Sequence, residues 1–221
     1  MGDLSIDRPM YLPVHFAETR AEVLRELIAA HPLGALVTSG PEGLDANHIP
    51  FEFDPHPEPL GTLHAHVARA NPVWRQFSGD VESLVIFQGP QVYITPSWYA
   101  TKAETGKVVP TFNYIVVHAY GTMRAIEDEA WLRNFVAKLT ERFESTRTNP
   151  WAITDAPETF IATNLHAIVG IEIKVTRMIG KWKTSQNRPQ ADRNGVVAGL
   201  RESEDPVAQA MAHAVEAWRP K

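Results

Sequence analysis

The chain of 221 residues contains no cysteine, and this absence excludes disulfide bonds and thiolate chemistry. It also has no uncharged apolar run near the roughly 18 residues that a membrane-spanning helix requires, and its N-terminus shows no basic segment followed by an apolar one. The sequence therefore predicts a cytoplasmic protein without a membrane segment.

The motifs of several enzyme classes are also missing. No Gly-x-Gly-x-x-Gly or P-loop segment is present to hold a nucleotide at a helix N-terminus, and no Gly-x-Ser-x-Gly elbow is present for hydrolysis. The 21 Lys and Arg residues are outnumbered by 26 Asp and Glu residues, so the net charge of −5 gives no general attraction to DNA. No catalytic residue is assigned from these patterns.

Runs of alternating apolar and polar residues, many of them β-branched or aromatic, predict a succession of antiparallel strands. A glycine at position 121 predicts a bend in the longest one. Helices are predicted near residues 19–31, 71–77, 127–145, 193–202 and 206–218 from apolar spacings of three and four. The predicted strands are 34–39, 44–53, 62–67, 83–87, 91–94, 111–126 and 167–178.

These elements predict a mainly β (α+β) fold, in which the strands form a closed or partly closed antiparallel β-barrel and helices flank it. No linker is long enough to divide the chain, so a single domain is expected.

One candidate binding segment combines aromatic side chains, hydroxyls and a cation. It comprises residues 95–102 and 109–114, where Trp98 and Tyr99 could stack on a flat heteroaromatic ligand while Thr111 and Asn113 orient it. The alternative is that Trp98 and Tyr99 only fill the end of the barrel.

A second candidate is the basic segment 181–188, followed closely by Arg193. Its three cations, two hydroxyls and two amides could clamp a phosphate or a carboxylate. The alternative is a solvated basic loop.

A third candidate lies at the end of a strand, where His64 and His66 share one face. The sequence offers no further ligand at a recognisable spacing for a metal, so His66, Arg69 and Asn71 are better interpreted as donors to an anion or a hydroxyl. His48 and His118 are isolated and are expected to be structural.

Five groups of residues occur together in a specific order. They are 10–16; 63–66 with 70–72; 96–99; 109–114 with Val117, His118 and Gly121; and 183–188 with Asp192, Arg193, Gly195 and Val196. Together they resemble the PaiB family of FMN-binding negative transcriptional regulators, over about residues 10–210. Phe112 departs from the Pro-Thr-Trp-Asn-Tyr pattern of that family; it keeps an aromatic ring and loses an indole N–H.

The resemblance implies a split β-barrel of the kind shared with pyridoxamine-phosphate oxidases and flavin reductases. Two subunits are expected to pair as a homodimer, with FMN in grooves at their interface. Residues 1–9 are expected to be a variable N-terminal extension, and residues 10–221 a single FMN-binding domain that ends in C-terminal helices.

The resemblance also implies roles for individual residues. The phosphate of FMN is expected to contact His66, Arg69 and Asn71, and the isoalloxazine ring is expected to contact Asn47, His48 and Ile49. The site is expected to be closed by Trp98, Thr111, Asn113 and Tyr114. The partner chain is expected to contribute Lys183, Gln186 and Arg188.

Three functions remain open at this point. The first is a flavin-binding regulator or sensor, and the second is an FMN-dependent oxidoreductase related to the pyridoxamine-phosphate oxidases. The third is a dimeric module for another flat ligand, including haem. DNA binding follows from the family label alone, because no helix-turn-helix pattern is evident.

Overall fold

The computed structural model describes residues 10–218, and the predicted N-terminal extension 1–9 lies outside this range. The α-helices are α1 (Ala21–Ala30), α2 (Thr101–Thr105), α3 (Glu129–Glu144), α4 (Glu158–His166), α5 (Gln190–Arg201) and α6 (Pro206–Ala217). The strands are β1 (Ala17–Glu18), β2 (Leu33–Gly40), β3 (Gly43–Pro50), β4 (Glu52–Asp54), β5 (Thr62–Ala68), β6 (Ser83–Ile94), β7 (Thr111–Ile126) and β8 (Ile168–Lys183).

The strands form one antiparallel sheet in the order β3-β2-β6-β7-β8-β5-β4, with β1 paired to β8. The β2–β3 hairpin turns tightly from Gly40 to Gly43, whose φ of +106° favours glycine. Strand β5 pairs with β8 from Thr62 opposite Lys174 to Ala68 opposite Ile168. None of the helices within residues 10–218 is both long and apolar enough to cross a membrane.

The chain divides into two compact units. Within the described residues, the first unit is formed by 10–23, Gln88–Val117 and 179–218, and the second by Leu24–Phe87 and His118–Met178. In the first unit α5 and α6 pack together, and their side chains Val196, Leu200, Met211, Ala212 and Val215 are fully buried.

The second unit has a core of its own. Phe51 and Phe87 are fully buried and meet edge to face, with ring centres 5.8 Å apart. A satellite cluster forms where α3 and α4 bury Leu132, Ile161 and Leu165.

Gly121, where the sequence predicts a bend, lies at a close contact between two strands. A Cβ atom at this position would lie 2.2 Å from the carbonyl oxygen of Lys174, so the glycine permits a close approach of β7 and β8.

Several boundaries differ from those expected. Strand β6 continues through Gly89 and Pro90, where a turn was predicted. The pairing of β6 with β2 covers only Leu84 to Ile86, so the missing N–H of Pro90 lies beyond that ladder. The predicted helix at 71–77 is a single 3₁₀ turn, Pro72–Trp74, and α4 was not predicted.

Strand β8 is also longer than expected. It extends to Lys183, so the start of the basic segment lies on a strand rather than in a loop. Since side chains alternate along a strand, Lys181 and Lys183 lie on the same face of β8.

Candidate functional site

The segment that follows β8 in the first unit is buried. Thr184, Ser185 and Gln186 are each less than a tenth exposed, so this part of the basic segment is not a solvated loop, whereas Lys183 and Arg188 are half-buried. Ser185 adopts a left-handed conformation with a φ of 63°, and its carbonyl oxygen accepts a hydrogen bond from the N–H of Arg188 at 3.0 Å. The Gln186 side chain accepts from the N–H of Thr184 at 2.7 Å and donates to the carbonyl of Trp182.

This buried loop contacts the start of β7. Asn113 is fully buried, and its amide donates to the Ser185 hydroxyl at 2.9 Å. The Lys183 ammonium donates to the Thr111 hydroxyl and to the Phe112 carbonyl. The structure therefore brings these predicted residues together within one chain.

Three cations cluster around aromatic rings in this part of the first unit. The Lys181 and Lys183 ammonium groups lie 5.4 and 5.9 Å from the ring centre of Tyr114, and the Arg188 guanidinium lies 4.6 Å from that of Tyr99. Within residues 10–218 none of the three forms an ion pair. We call Lys181, Lys183 and Arg188 the cation cluster.

Burial lowers the pKa of Lys183, and the neighbouring charges of Lys181 and Arg188 lower it further. The cluster is therefore a place where positive charge is costly in the free protein. A bound anion would relieve that cost.

A second contact set holds the segment around Trp98 against α5. A Cβ atom at Gly195 would lie 1.9 Å from the Trp98 carbonyl oxygen, and one at Gly199 would lie 2.2 Å from its indole ring. The buried Asp192 carboxylate accepts hydrogen bonds from the N–H and the hydroxyl of Thr101, at 2.9 and 2.8 Å. The half-buried Trp98 thus packs on a helix, which supports its interpretation as a structural residue.

In the second unit, Arg69 is held by its own chain. Its guanidinium donates to the carbonyl oxygens of His166 and Ile168, at 2.7 and 3.1 Å, and pairs with Glu127 at 2.5 Å. Its own carbonyl accepts from the Trp74 indole N–H at 3.0 Å. A carboxylate beside Arg69 repels a phosphate and already supplies the counter-charge.

The other predicted residues of the second unit are divided between two faces. The Asn71 amide donates to the Asn47 side chain at 2.8 Å and caps the following 3₁₀ turn. Ile49 is buried, whereas His48, which lies between Asn47 and Ile49, is exposed. Because alternate residues of a strand point to opposite faces, His48 does not share a face with Asn47 and Ile49.

The two histidines of β5 have different partners. His64 lies 3.3 Å from Glu172, and His66 packs edge-on against Phe135. Burial lowers the pKa of His66. No group of three or more candidate metal ligands occurs within residues 10–218.

The sequence placed Lys181 in the basic segment 181–188 but gave it no role of its own. Lys181 is 7% exposed, and its ammonium donates to the Tyr11 carbonyl at 2.8 Å. Its spacing of two residues from Lys183 is the signal that could have placed both on one strand face, had β8 been extended. The capping role of Asp192 has no comparable signal.

Comparisons with known proteins identify the family of this chain. The family described as "Putative FMN-binding domain" matches residues 10–177, more than half of the chain. The chain is 33% identical over 207 residues to the Protease synthase and sporulation protein PAI 2 of Bacillus subtilis, covering 94% of this chain and 97% of the relative. The chain belongs to the PaiB family of FMN-binding proteins. The chain is also 35% identical over 227 residues to an uncharacterized protein of Emericella nidulans, with 86% of this chain and 90% of the relative covered.

The predicted fold, an antiparallel split β-barrel of the flavin-binding type, is confirmed. A conserved hypothetical protein of Mycobacterium tuberculosis shares it with a TM-score of 0.56 at 13% identity, over 82% of this chain and 95% of that protein. FMN is the cofactor that membership of the PaiB family gives this chain. The cation cluster begins after the matched range ends, so the case for it rests on the geometry of this chain.

The residues of the first unit fit FMN chemically. Cations without an ion-pair partner suit a phosphate, and tyrosine rings suit a flat tricyclic ring. The buried hydroxyl and amide groups of Ser185 and Asn113 lie in the same contact set.

Proposed function

We propose that this protein is a flavin-dependent sensor or regulator that holds the phosphate of FMN at the cation cluster. The observation that carries this proposal is the absence of any ion-pair partner for Lys181, Lys183 and Arg188 within residues 10–218. A charge withdrawn from water is costly unless an opposite charge balances it, and the hydrogen bonds of Lys181 and Lys183 go to uncharged oxygens. A phosphate supplies that opposite charge.

The site around the phosphate is drawn from the predicted residues of the first unit. We propose that Lys183 and Arg188 contact the phosphate. Gln186 orders the buried loop through its bonds to Thr184 and Trp182. The contacts that join this loop to β7 support a role for Thr111, Asn113 and Tyr114 beside it.

The second unit offers a rival location for the phosphate, at His66, Arg69 and Asn71, with the ring near Asn47, His48 and Ile49. We favour the first unit because Arg69 already pairs with Glu127. The rival remains a separate prediction with a test of its own.

Titration with FMN and riboflavin distinguishes these locations, because riboflavin lacks the phosphate. Lys183→Gln and Arg188→Gln are each expected to weaken FMN binding by about tenfold and to leave riboflavin binding unchanged. Arg69→Ala is the matched comparison and is expected to change neither affinity. Loss of FMN affinity in Arg69→Ala alone would move the phosphate to the second unit.

The choice between a sensor and an oxidoreductase has a direct test. The regulatory name belongs to the Bacillus relative, and its extension to this chain is our proposal. Under anaerobic conditions, a sensor is expected to keep its FMN oxidised in the presence of NADH or NADPH. Rapid bleaching of the flavin absorbance by either reductant would favour the oxidoreductase.

The cation cluster lies on a strand end and a loop rather than on an exposed helix, and the whole chain is acidic, so direct DNA binding gains no support from charge. Steeply salt-dependent binding to promoter fragments would favour a DNA-binding repressor instead.

We also propose a cytoplasmic homodimer. In the first unit Tyr93 and Phe112 are about half exposed and meet edge to face at 5.7 Å, which gives an aromatic surface suited to a second copy of the chain. Sedimentation equilibrium is expected to give twice the chain mass of 24.7 kDa. Tyr93→Ser with Phe112→Ser is expected to shift the protein toward the monomer.

A further inference from the structure

The segment Met10–Ala17, which we call the arm, is tied to β8 by one lysine. Ala17 is the register partner of Lys181 in the β1–β8 pair. The Lys181 ammonium also donates to the Tyr11 carbonyl at 2.8 Å. Both ends of the arm are therefore fixed to the strand that carries two members of the cation cluster.

The arm presents an aromatic ring next to this cluster. The Tyr11 side chain is 83% exposed, and its ring centre lies 5.6 Å from the Lys181 ammonium. The same ammonium lies 5.4 Å from the ring of Tyr114. Two tyrosines thus flank a single buried cation, and one of them is open to a ligand.

The arm also lines a cavity of about 680 Å³. Such a volume is within the range of small-molecule pockets. Its lining residues are mainly apolar, which suits the dimethylbenzene edge of a flavin better than it suits a phosphate. They are Met10, Tyr11, Leu12, Pro13, Val14 and Ala17.

We propose that the arm binds the isoalloxazine ring of FMN and that Tyr11 is its stacking residue. This inference rests on the proposed function, because the cation cluster holds the phosphate of the same ligand. A stacked aromatic ring contributes to affinity for any flavin, whereas a cation at the phosphate contributes only to affinity for FMN. The two contributions can be measured separately.

The test compares Tyr11→Ala with Tyr11→Phe. Tyr11→Ala is expected to weaken FMN and riboflavin by the same factor, about threefold to tenfold. Tyr11→Phe is expected to keep both affinities within about twofold, because the aromatic face remains. In both variants the bound flavin is expected to become more fluorescent, because a tyrosine phenol quenches excited flavin by electron transfer and phenylalanine does not. Phe160→Ala, an exposed aromatic residue of α4, is the control and is expected to change neither quantity.

Chymotrypsin gives a second measurement, because it cleaves after an exposed tyrosine. FMN and riboflavin are both expected to slow cleavage at Tyr11, whereas inorganic phosphate is expected to leave it unchanged. Protection by phosphate alone would overturn the inference, since it would show that the arm responds to the cation cluster and not to a ring.

The outcomes distinguish this inference from the proposed function. If the unaltered protein binds neither FMN nor riboflavin, the proposed function fails. If it binds both and Tyr11→Ala changes neither affinity nor fluorescence, only the role of the arm fails. If Tyr11→Ala weakens FMN and not riboflavin, Tyr11 acts at the phosphate and the inference is overturned.

Discussion

The cation cluster of the first unit differs from the paired arginines of the second unit, although the first unit also contains the ion pairs Arg20–Glu18 and Arg201–Glu216. In the second unit Arg69 pairs with Glu127 and Arg124 pairs with Glu172, each at 2.5 Å. In the first unit the cation cluster forms no ion pair within residues 10–218. A paired charge is satisfied by the fold itself, whereas an uncompensated charge is available to a ligand. The cations of the cluster are therefore candidates for ligand binding, whereas Arg69 and Arg124 are candidates for a contribution to stability.

Adding a carboxylate to the cation cluster is expected to change FMN affinity more than the other substitutions, because it gives the cluster the counter-charge that Arg69 and Arg124 already have. Thr111 already accepts a hydrogen bond from Lys183, so Thr111→Asp is expected to form an ion pair there. FMN affinity is expected to fall at least about tenfold through repulsion of the phosphate. Titration against Thr111→Asn, the neutral variant of similar shape, isolates the charge; equal FMN affinities in the two variants would contradict the prediction.

Removing a carboxylate from the second unit tests the opposite side of the comparison. Glu172→Gln is expected to lower the free energy of unfolding by about 1 kcal/mol, because Arg124 and His64 lose their partner at a half-exposed site. FMN affinity should not change. A double-mutant cycle with Arg124→Gln in urea denaturation measures the coupling, and additive effects would show that the pair contributes nothing.

The pH dependence of stability should show a smaller effect from His66. Burial lowers its pKa in the folded protein below the usual 6.5, so the unfolded chain takes up the proton more readily. Its contribution to stability is therefore present above pH 6.5 and is lost as the pH falls through the folded-state pKa. Thermal unfolding of His66→Phe across this range is expected to show a weaker pH dependence, and an unchanged slope would exclude His66 as the cause.

The smallest effect is expected for Lys183, on the stability of the ligand-free protein. Because burial and neighbouring cations lower the pKa of Lys183, its charged form opposes folding at neutral pH. Lys183→Gln is thus expected to stabilise the free protein by a few tenths of a kcal/mol, discounted for solvent exposure. Denaturation with and without FMN checks this, since FMN should stabilise the unaltered protein more than the variant. A destabilised free variant would show that Lys183 is structural.

The regular elements could be predicted from the sequence because their patterns are local. The alternation of residues 111–126 predicts β7 with the observed ends, and the helices near the C-terminus are displaced by only a few residues. Helix α4 was missed because only Ile161 and Leu165 mark its buried face over nine residues.

The candidate site could be predicted only in part, because burial of a polar residue depends on distant contacts. The hydroxyls, amides and cations of 183–188 indicate an anion site by composition alone. By contrast, the hydrogen bond from Lys181 to the Tyr11 carbonyl joins residues that are 170 positions apart in the sequence. The pairing of Arg69 with Glu127 spans 58 positions and has no local signal.

Ser185 has a backbone conformation that a glycine would adopt at lower energetic cost, with a difference on the order of 1 kcal/mol. Its hydroxyl is the reason that a serine is useful here, since the Asn113 amide donates to it. A glycine would ease the turn but release β7 from the loop at that point. Selection for stability alone would therefore favour glycine at position 185, whereas selection for a rigidly placed loop favours serine.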